Sequence, residues 1–321
     1  MRRKNNILIC GGAGYIGGYV TDLLNKSGYN VTVYDNLTYE SRFLKDVPFV
    51  WGDIRDKKKL GKLLKKFDTV IWLAALVGDP ACALQPSLSN EINYQTSRWL
   101  ARNYKGRIIF ASTCSVYGIN HDLIDENAQP NPLSIYAKTK WEAEKEIVKN
   151  SNNFLIFRLG TLFGAGDTHS RIRLDLVVNI LTKKATLNEQ LIISGKNQWR
   201  PLLHVKDVAE AILFGLRKNI KGLYNLNYKN LQILDIGREI KKVIPRINIK
   251  YVDVPAEDMR NYRVLSDKFK KYGWTPKYTI KDGIIEIASI INEGRIKNPN
   301  DISYTNAAIL AALLNGTESK K

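Results

Sequence analysis

Tyr136 and Lys140 stand four residues apart in Tyr136-Ala137-Lys138-Thr139-Lys140, so on a helix they share a face. A tyrosine hydroxyl ordinarily ionises near pH ~10. A neighbouring ammonium favours the phenolate, and a second positive charge on a bound cofactor favours it further. The phenolate could take the proton of an alcohol while a hydride leaves the same carbon. Thr113, just beyond the apolar run Arg107-Ile108-Ile109-Phe110, could hydrogen-bond the same hydroxyl. Such chemistry needs a hydride acceptor and elements that bring three separate stretches together.

The acceptor's site reads at the start of the chain. Ile7-Leu8-Ile9-Cys10 is a buried strand, and Gly11, Gly14 and Gly17 follow at G-x-x-G-x-x-G spacing. Tyr15-Ile16, Tyr19-Val20 and Leu23-Leu24 then recur at helical spacing. A strand entering a helix through glycines lets a pyrophosphate approach the backbone and meet free N–H groups at the helix N-terminus. A second strand, Val31-Thr32-Val33-Tyr34, ends in Asp35, where a carboxylate can accept from adenosine ribose hydroxyls. Asn36 follows instead of an arginine, and the Asp35 carboxylate would repel a 2′-phosphate. The pattern therefore selects NAD over NADP.

The chain has 321 residues and a formal net charge of +18. That length suffices for one large or two modest domains. Lysine runs such as Lys57-Lys58-Lys59 read as solvated helix faces. They would also attract an anionic nucleotide, whereas no motif supports nucleic-acid binding. The three cysteines, Cys10, Cys82 and Cys114, form no C-x-x-C pair. They indicate a reducing cytoplasm, no disulfide framework and no metal site. Met1-Arg2-Arg3-Lys4 precedes only a short strand and is not read as a secretory signal. The longest apolar run, Ala307 to Leu314, is too short to span a bilayer.

Strands and helices alternate through the first half. Phe49-Val50-Trp51, Thr69 to Leu73, Arg107 to Phe110 and Phe154 to Arg158 read as strands. Helices are expected at Lys57 to Phe67, Pro86 to Tyr104 and Ser134 to Asn150. The fold class is α/β: a doubly wound, parallel Rossmann sheet with a smaller interleaved C-terminal α/β substrate domain. Residues 1–167 form the NAD-binding domain, with 204–229 returning to it, and 168–203 and 230–321 bind the substrate. Beyond residue 165 the pattern is less regular, with helices at Leu174 to Thr182 and Asp207 to Leu216. The glycine turn, Asp35, Asp53, Ala74-Ala75, Thr113 and Arg158 all fall at or after strand ends, the edge where doubly wound sheets bind ligands.

These motifs resemble, in order, those of the extended short-chain dehydrogenases/reductases, specifically the NAD-dependent epimerase/dehydratase family acting on nucleotide sugars. The matching stretches are Gly11 to Gly17, Asp35-Asn36-Leu37, Gly52-Asp53-Ile54-Arg55-Asp56, Leu73-Ala74-Ala75, Ser112 to Gly118, Tyr136 to Lys140, Arg158-Leu159 and Arg200 to Asp207. The resemblance makes Thr113, Tyr136 and Lys140 the catalytic triad. It gives Gly11, Gly14, Tyr15, Ile16, Gly17, Asp35, Asn36, Asp53, Ile54, Leu73, Ala74 and Ala75 to the cofactor, along with Tyr136 and Lys140. Asn93 resembles the family's supporting helix asparagine and is placed with Cys114 and Ser115 beside the substrate. Arg200 and Arg260, the latter in Asp258-Met259-Arg260-Asn261-Tyr262, resemble the arginines that hold the nucleotide part. Ser170 to Asn179 resembles a subgroup pattern, R-x-R-x-D-L-x-V-N, that brings Arg171 and Arg173 toward the sugar or its phosphates. His204 is expected to pack and not to ligate.

Departures narrow the reaction. The family's sugar 4,6-dehydratases carry an Asp-Glu pair after the triad threonine, and here Cys114-Ser115 stands instead. The expected activity is an NAD-dependent epimerase of nucleotide-diphosphate sugars acting at C4 through a 4-keto intermediate, in a surface polysaccharide or protein-glycan pathway. UDP is favoured, with GDP, dTDP and CDP as alternatives. A C4 dehydrogenase or ketoreductase and a non-standard dehydratase share the fold. A non-catalytic NAD(H)- or nucleic-acid-binding protein is the rival from another class. The helices at 86–104 and 134–150 resemble those the family packs into a homodimer.

Overall fold

The computed structural model describes residues 5–252 and 260–318. Asp258 and Met259 of the Arg260 motif, and Met1 to Lys4, lie outside the described residues. The chain opens with β1 (Asn6–Cys10), α1 (Tyr15–Lys26), β2 (Asn30–Asp35), β3 (Phe49–Trp51), α2 (Lys57–Leu64) and β4 (Thr69–Trp72). Then come α3 (Asp79–Leu84), α4 (Pro86–Ser89), a π-helical stretch (Asn90–Gln95), α5 (Thr96–Asn103), β5 (Arg107–Thr113), β6 (Ile119–Ile124), α6 (Ile135–Asn150) and β7 (Phe154–Leu159). The second half holds β8 (Thr161–Phe163), α7 (Val177–Thr186), β9 (Leu191–Ile193), β10 (Trp199–His204), α8 (Val205–Arg217), β11 (Gly222–Leu226), β12 (Lys229–Gln232) and α9 (Ile233–Val243). It closes with β13 (Ile249–Tyr251), β14 (Asn261–Val264), α10 (Asp267–Lys270), α11 (Ile280–Asn292) and α12 (Asn306–Glu318).

Seven strands form one parallel sheet in the order β3-β2-β1-β4-β5-β7-β11. Alternate residues of β1 face opposite layers, as the two-residue period of a strand requires. Ile7 and Ile9 pack with Val20 and Leu24 of α1 and Ile212 of α8. Leu8 and Cys10 pack with Leu60, Leu100 and Ile147 of α2, α5 and α6. The strand order reverses between β1 and β4, so their carboxyl ends open a crevice. A separate core beneath β8, β10 and β12 gathers Phe163, Val178, Ile236 and Ile284. Short parallel pairs, β6 with β14 and β9 with β13, add to this part.

Several expected boundaries move. The helix expected at Pro86 to Tyr104 is divided: Asn90–Gln95 is π-helical and Tyr104 is extended. Ser97 donates to the Asn93 carbonyl at 2.9 Å and Thr96 to that of Ile92 at 2.5 Å, bonds that compete with the helical ladder. The helix expected from Lys57 to Phe67 stops at Leu64, and the one from Leu174 to Thr182 runs instead over Val177–Thr186. Arg158 lies within β7 and does not reach the ligand edge. Its Nη2 donates to Glu144 Oε2 at 2.7 Å and its Nη1 to the Tyr117 hydroxyl at 2.8 Å.

That pair is buried on both sides, with side chains 6% and 3% exposed. Ser112 also donates to Glu144, so α6, β5 and β7 are joined below the ends that carry Tyr136, Lys140 and Thr113. Removing one charge strands the other in the interior. Glu144→Gln is expected to lower unfolding stability by about 3 kcal/mol in urea denaturation; an unchanged midpoint would contradict this role. A second brace uses Glu286 of α11, whose carboxylate meets His204 Nε2 at 3.1 Å, Lys206 and the Ala165 N–H. His204 stacks on Tyr278 and its Nδ1 accepts from the Lys206 N–H, so it packs and caps α8. Burial alone would raise the Glu286 carboxyl, but its partners outweigh it and hold the group at about 2. A depressed carboxyl contributes stability above its unfolded pKa, and that contribution fades as pH falls toward the folded value. The stability deficit of Glu286→Gln should be largest near pH 6 and shrink on acidification toward pH 3. A deficit independent of pH would contradict the pairing.

Candidate active site

One cavity of about 1160 Å³ opens at the carboxyl edge of the sheet. This exceeds the ~300–1,000 Å³ usual for a single small ligand and leaves room for two. Its floor is the turn from β1 into α1. A Cβ at Gly11 would meet the Ala74 nitrogen at 2.5 Å, and one at Gly17 the Gly11 carbonyl at 2.2 Å. Both positions therefore exclude side chains by close backbone packing. At Gly14 the nearest atom to such a Cβ is 3.5 Å away, so the turn keeps an open face beside the α1 N-terminus.

The other residues expected at the cofactor surround that face. Asp35 Oδ2 accepts from the Ala13 N–H at 3.1 Å and Oδ1 from Leu37 at 2.9 Å. Burial raises the Asp35 carboxyl, with these N–H bonds opposing it. Asn36 donates to Asp53 Oδ2 at 3.0 Å, which Arg55 also grips. Tyr15, Ile16, Ile54, Leu73, Ala74 and Ala75 line the same space, and the Tyr15 hydroxyl is anchored on the Gly164 carbonyl at 2.7 Å. An open-faced glycine turn followed by a strand-end carboxylate fits a dinucleotide.

Thr113, Tyr136 and Lys140 line the cavity together. Ser134 caps α6 by accepting from the Ala137 N–H at 3.1 Å, which fixes the first turn where Tyr136 sits. Thr113 Oγ1 accepts from the Ser115 N–H at 3.1 Å, leaving its O–H to donate outward. Lys140 Nζ lies 4.1 Å from the centroid of Phe110. Burial pushes its ammonium down to about 7, although Glu144 pulls it upward. The expectation of a lowered tyrosine pKa is reversed in the protein alone. Burial raises Tyr136 well above the usual range, and Cys82 and Asp79 add to the rise, while Arg173 and Arg260 oppose it. A phenolate at this buried position would need additional positive charge beside it.

The expected substrate residues divide. Ser115, Arg171, Arg173, Arg200 and Arg260 line the cavity. Arg260 donates to Ser115 Oγ at 2.8 Å and pairs with Asp79 at 3.1 Å, while Arg200 donates to the Arg260 carbonyl. Arg173 pairs with Asp175 at 3.0 Å. Cys114 is withdrawn: it is fully buried, and its thiol donates to the Arg158 carbonyl at 3.2 Å. Asn93 is also buried, behind the wall. Its side chain accepts from the Leu76 N–H at 2.8 Å and donates to the Leu76 carbonyl at 2.9 Å, so it holds the loop after β4. Sequence reasoning missed Asp79, Tyr39 and Asn306, which also line the cavity. Asp79 follows the matched Leu73-Ala74-Ala75 stretch by only a few residues, whereas Tyr39 and Asn306 had no local signal.

Fold and site together define an NAD-dependent enzyme of the doubly wound class. The NAD dependent epimerase/dehydratase family matches residues 7–227, and the chain belongs to that family. It is 31% identical over 301 residues to a putative UDP-glucose 4-epimerase of Methanocaldococcus jannaschii, covering 88% of this chain and 97% of the relative. It is 32% identical to the UDP-glucose 4-epimerase of Rhizobium meliloti over 311 residues, covering 87% and 94%. Among solved structures, UDP-glucuronic acid 4-epimerase from Bacillus cereus, in complex with UDP-glucuronic acid and NAD, superposes with a TM-score of 0.77. That pair is 26% identical, covering 90% of this chain and 99% of the other. Among the described residues no helix is long and apolar enough to cross a membrane.

Asp35→Ala is expected to weaken NAD binding by about tenfold, the loss of one or two hydrogen bonds to a charged acceptor. Isothermal titration would measure it, and an unchanged Kd would contradict the ribose role.

Proposed function

We propose that the protein is an NAD-dependent 4-epimerase of a UDP-sugar. The observation that carries this reading is one cavity holding the open glycine turn, Thr113, Tyr136 and Lys140, and the Arg200–Arg260 pair. When bound, NAD supplies hydride acceptance and return at the sugar's C4. Tyr136 takes the C4 hydroxyl proton and later returns it to the same oxygen once the sugar has turned its other face. Thr113 donates a hydrogen bond to that oxygen and fixes its position. Lys140 holds the nicotinamide ribose and, when protonated, favours the Tyr136 phenolate. Arg200 and Arg260 hold the diphosphate, where guanidinium donors match phosphate oxygens. The cavity's volume leaves the 4-keto sugar room to turn between the two transfers.

Dehydration is disfavoured at the residues after Thr113. The Cys114 thiol is buried and pushed far up by desolvation, and Ser115 is occupied by Arg260. Neither is placed as an acid–base pair. The choice of UDP follows the named relatives. The product would supply a surface polysaccharide or protein glycan. We also propose a cytoplasmic homodimer. Three free buried thiols suit a reducing compartment, and α5 and α6 pack side by side as a paired surface.

Tyr136→Phe should lower kcat by about 10²–10⁴ with little change in KM, as expected for an acid–base group acting in the transition state. Coupled assays of UDP-galactose and UDP-glucose interconversion would measure this, beginning without added cofactor. A fully active Phe variant would exclude the mechanism.

A further inference from the structure

Arg171 is a buried cation whose hydrogen bonds, among the described residues, go only to neutral acceptors. It is 8% exposed. Its Nε donates to the Ser303 carbonyl at 2.9 Å, its Nη1 donates to Asn306 Oδ1, and the guanidinium lies over the Tyr39 ring at 4.9 Å. Among the described residues Nη2 has no hydrogen-bond partner. Glu40 and Asp175 act on the charge only through space. Glu40 takes the Arg171 backbone N–H at 2.7 Å, and Asp175 takes Arg173 and the Asn306 N–H. A buried guanidinium with an unused donor is costly to keep unless an anion meets it, and its planar fork suits phosphate oxygens.

The position of Arg171 indicates which anion. Tyr39 and Glu40 closely follow the Asp35-Asn36 strand end that serves the cofactor ribose. Asp167 and Ser170, just before Arg171, press on Gly18 of α1, where an added Cβ would meet each at 1.7 Å. The Arg171 loop thus leans on the helix whose N-terminus opens into the cavity. Arg200 and Arg260 form a separate pair, bonded to Ser115 and Asp79.

The C-terminal segment fixes this arrangement. Besides holding Arg171, Asn306 Nδ2 donates to the Val77 carbonyl at 2.7 Å. Thr305, Asn306 and Ala307 line the cavity, and Leu310 is buried against Leu76, Ala81 and Cys82. We propose that Arg171 donates to the diphosphate of the bound dinucleotide, and that residues 301–318 form a strap that sets Arg171 and walls the cofactor in. The inference rests on the NAD site and not on the choice of sugar or reaction. A strapped cofactor suits a closed cycle, in which the reduced form must stay until hydride returns.

The substrate's diphosphate offers the same chemistry, so the experiment separates the two. Wild type, Arg171→Met, Arg171→Lys and Asn306→Ala are purified with NAD bound. The rate at which bound NAD exchanges with isotopically labelled NAD is measured, and UDP affinity is measured separately by calorimetry. Arg171→Met is expected to speed NAD exchange at least about tenfold, as for loss of a charge-assisted hydrogen bond. Arg171→Lys and Asn306→Ala should be intermediate, and UDP affinity should change less than twofold. The milder variants keep the test readable if Arg171→Met does not fold. Exchange at the wild-type rate in all variants would overturn the proposal. So would weaker UDP binding with NAD exchange unchanged, which would assign the guanidinium to the substrate. Neither readout requires turnover.

Discussion

The buried pair between Glu144 and Arg158 is the interaction on which the site's geometry depends. It lies at the centre of a chain of bonds that crosses the sheet. Asn225 of β11 accepts from the Tyr117 hydroxyl at 2.8 Å, Arg158 of β7 donates to that hydroxyl, and Ser112 of β5 joins at Glu144 of α6. Each polar group in this network is buried and answered by another, the condition under which interior charge is tolerable. Neither residue lines the cavity. It fixes α6 against β5 and β7, so that Tyr136 and Lys140 face the strand end carrying Thr113. Glu144 also reaches Lys140 electrostatically and partly offsets the burial that lowers it.

The site is therefore made of groups held in states unfavourable without ligands. Burial disfavours the Lys140 ammonium and the Tyr136 phenolate, and Arg171 keeps a donor without a partner among the described residues. In the proposed mechanism, proton transfer by Tyr136 would then be confined to the loaded protein, because its ionisation needs added positive charge.

Much of this was legible in sequence because it is local. The glycine turn, Asp35 after an apolar strand, and Tyr136 with Lys140 on one helical turn need no knowledge of distant residues. The strand ends fall on one edge because β-α-β alternation leaves little topological choice. What was not legible depends on long-range pairing. Glu144 reads as one charge among many on α6, and only the packed structure turns it inward. Arg158 looked like a strand-end ligand for the same reason. Asn93 needed the π-helical stretch to aim it at Leu76. Cys114 follows Thr113 directly, yet the turn at the strand end sends its side chain into the core. The segment whose Ser303 and Asn306 hold Arg171 lies some 130 residues beyond it, and its apolar run gives only amphipathic ambiguity. In each case the backbone pattern is readable and the side chain's partner is not.

The central claim is that one bound NAD removes and returns the same hydride at C4. Its most direct test follows a UDP-sugar deuterated at C4 through turnover by the purified protein, with no added cofactor. The account predicts the C4 epimer with the deuterium still at C4 and none exchanged to solvent. Product that has lost the label, or turnover that appears only with a stoichiometric supply of NAD, would contradict it.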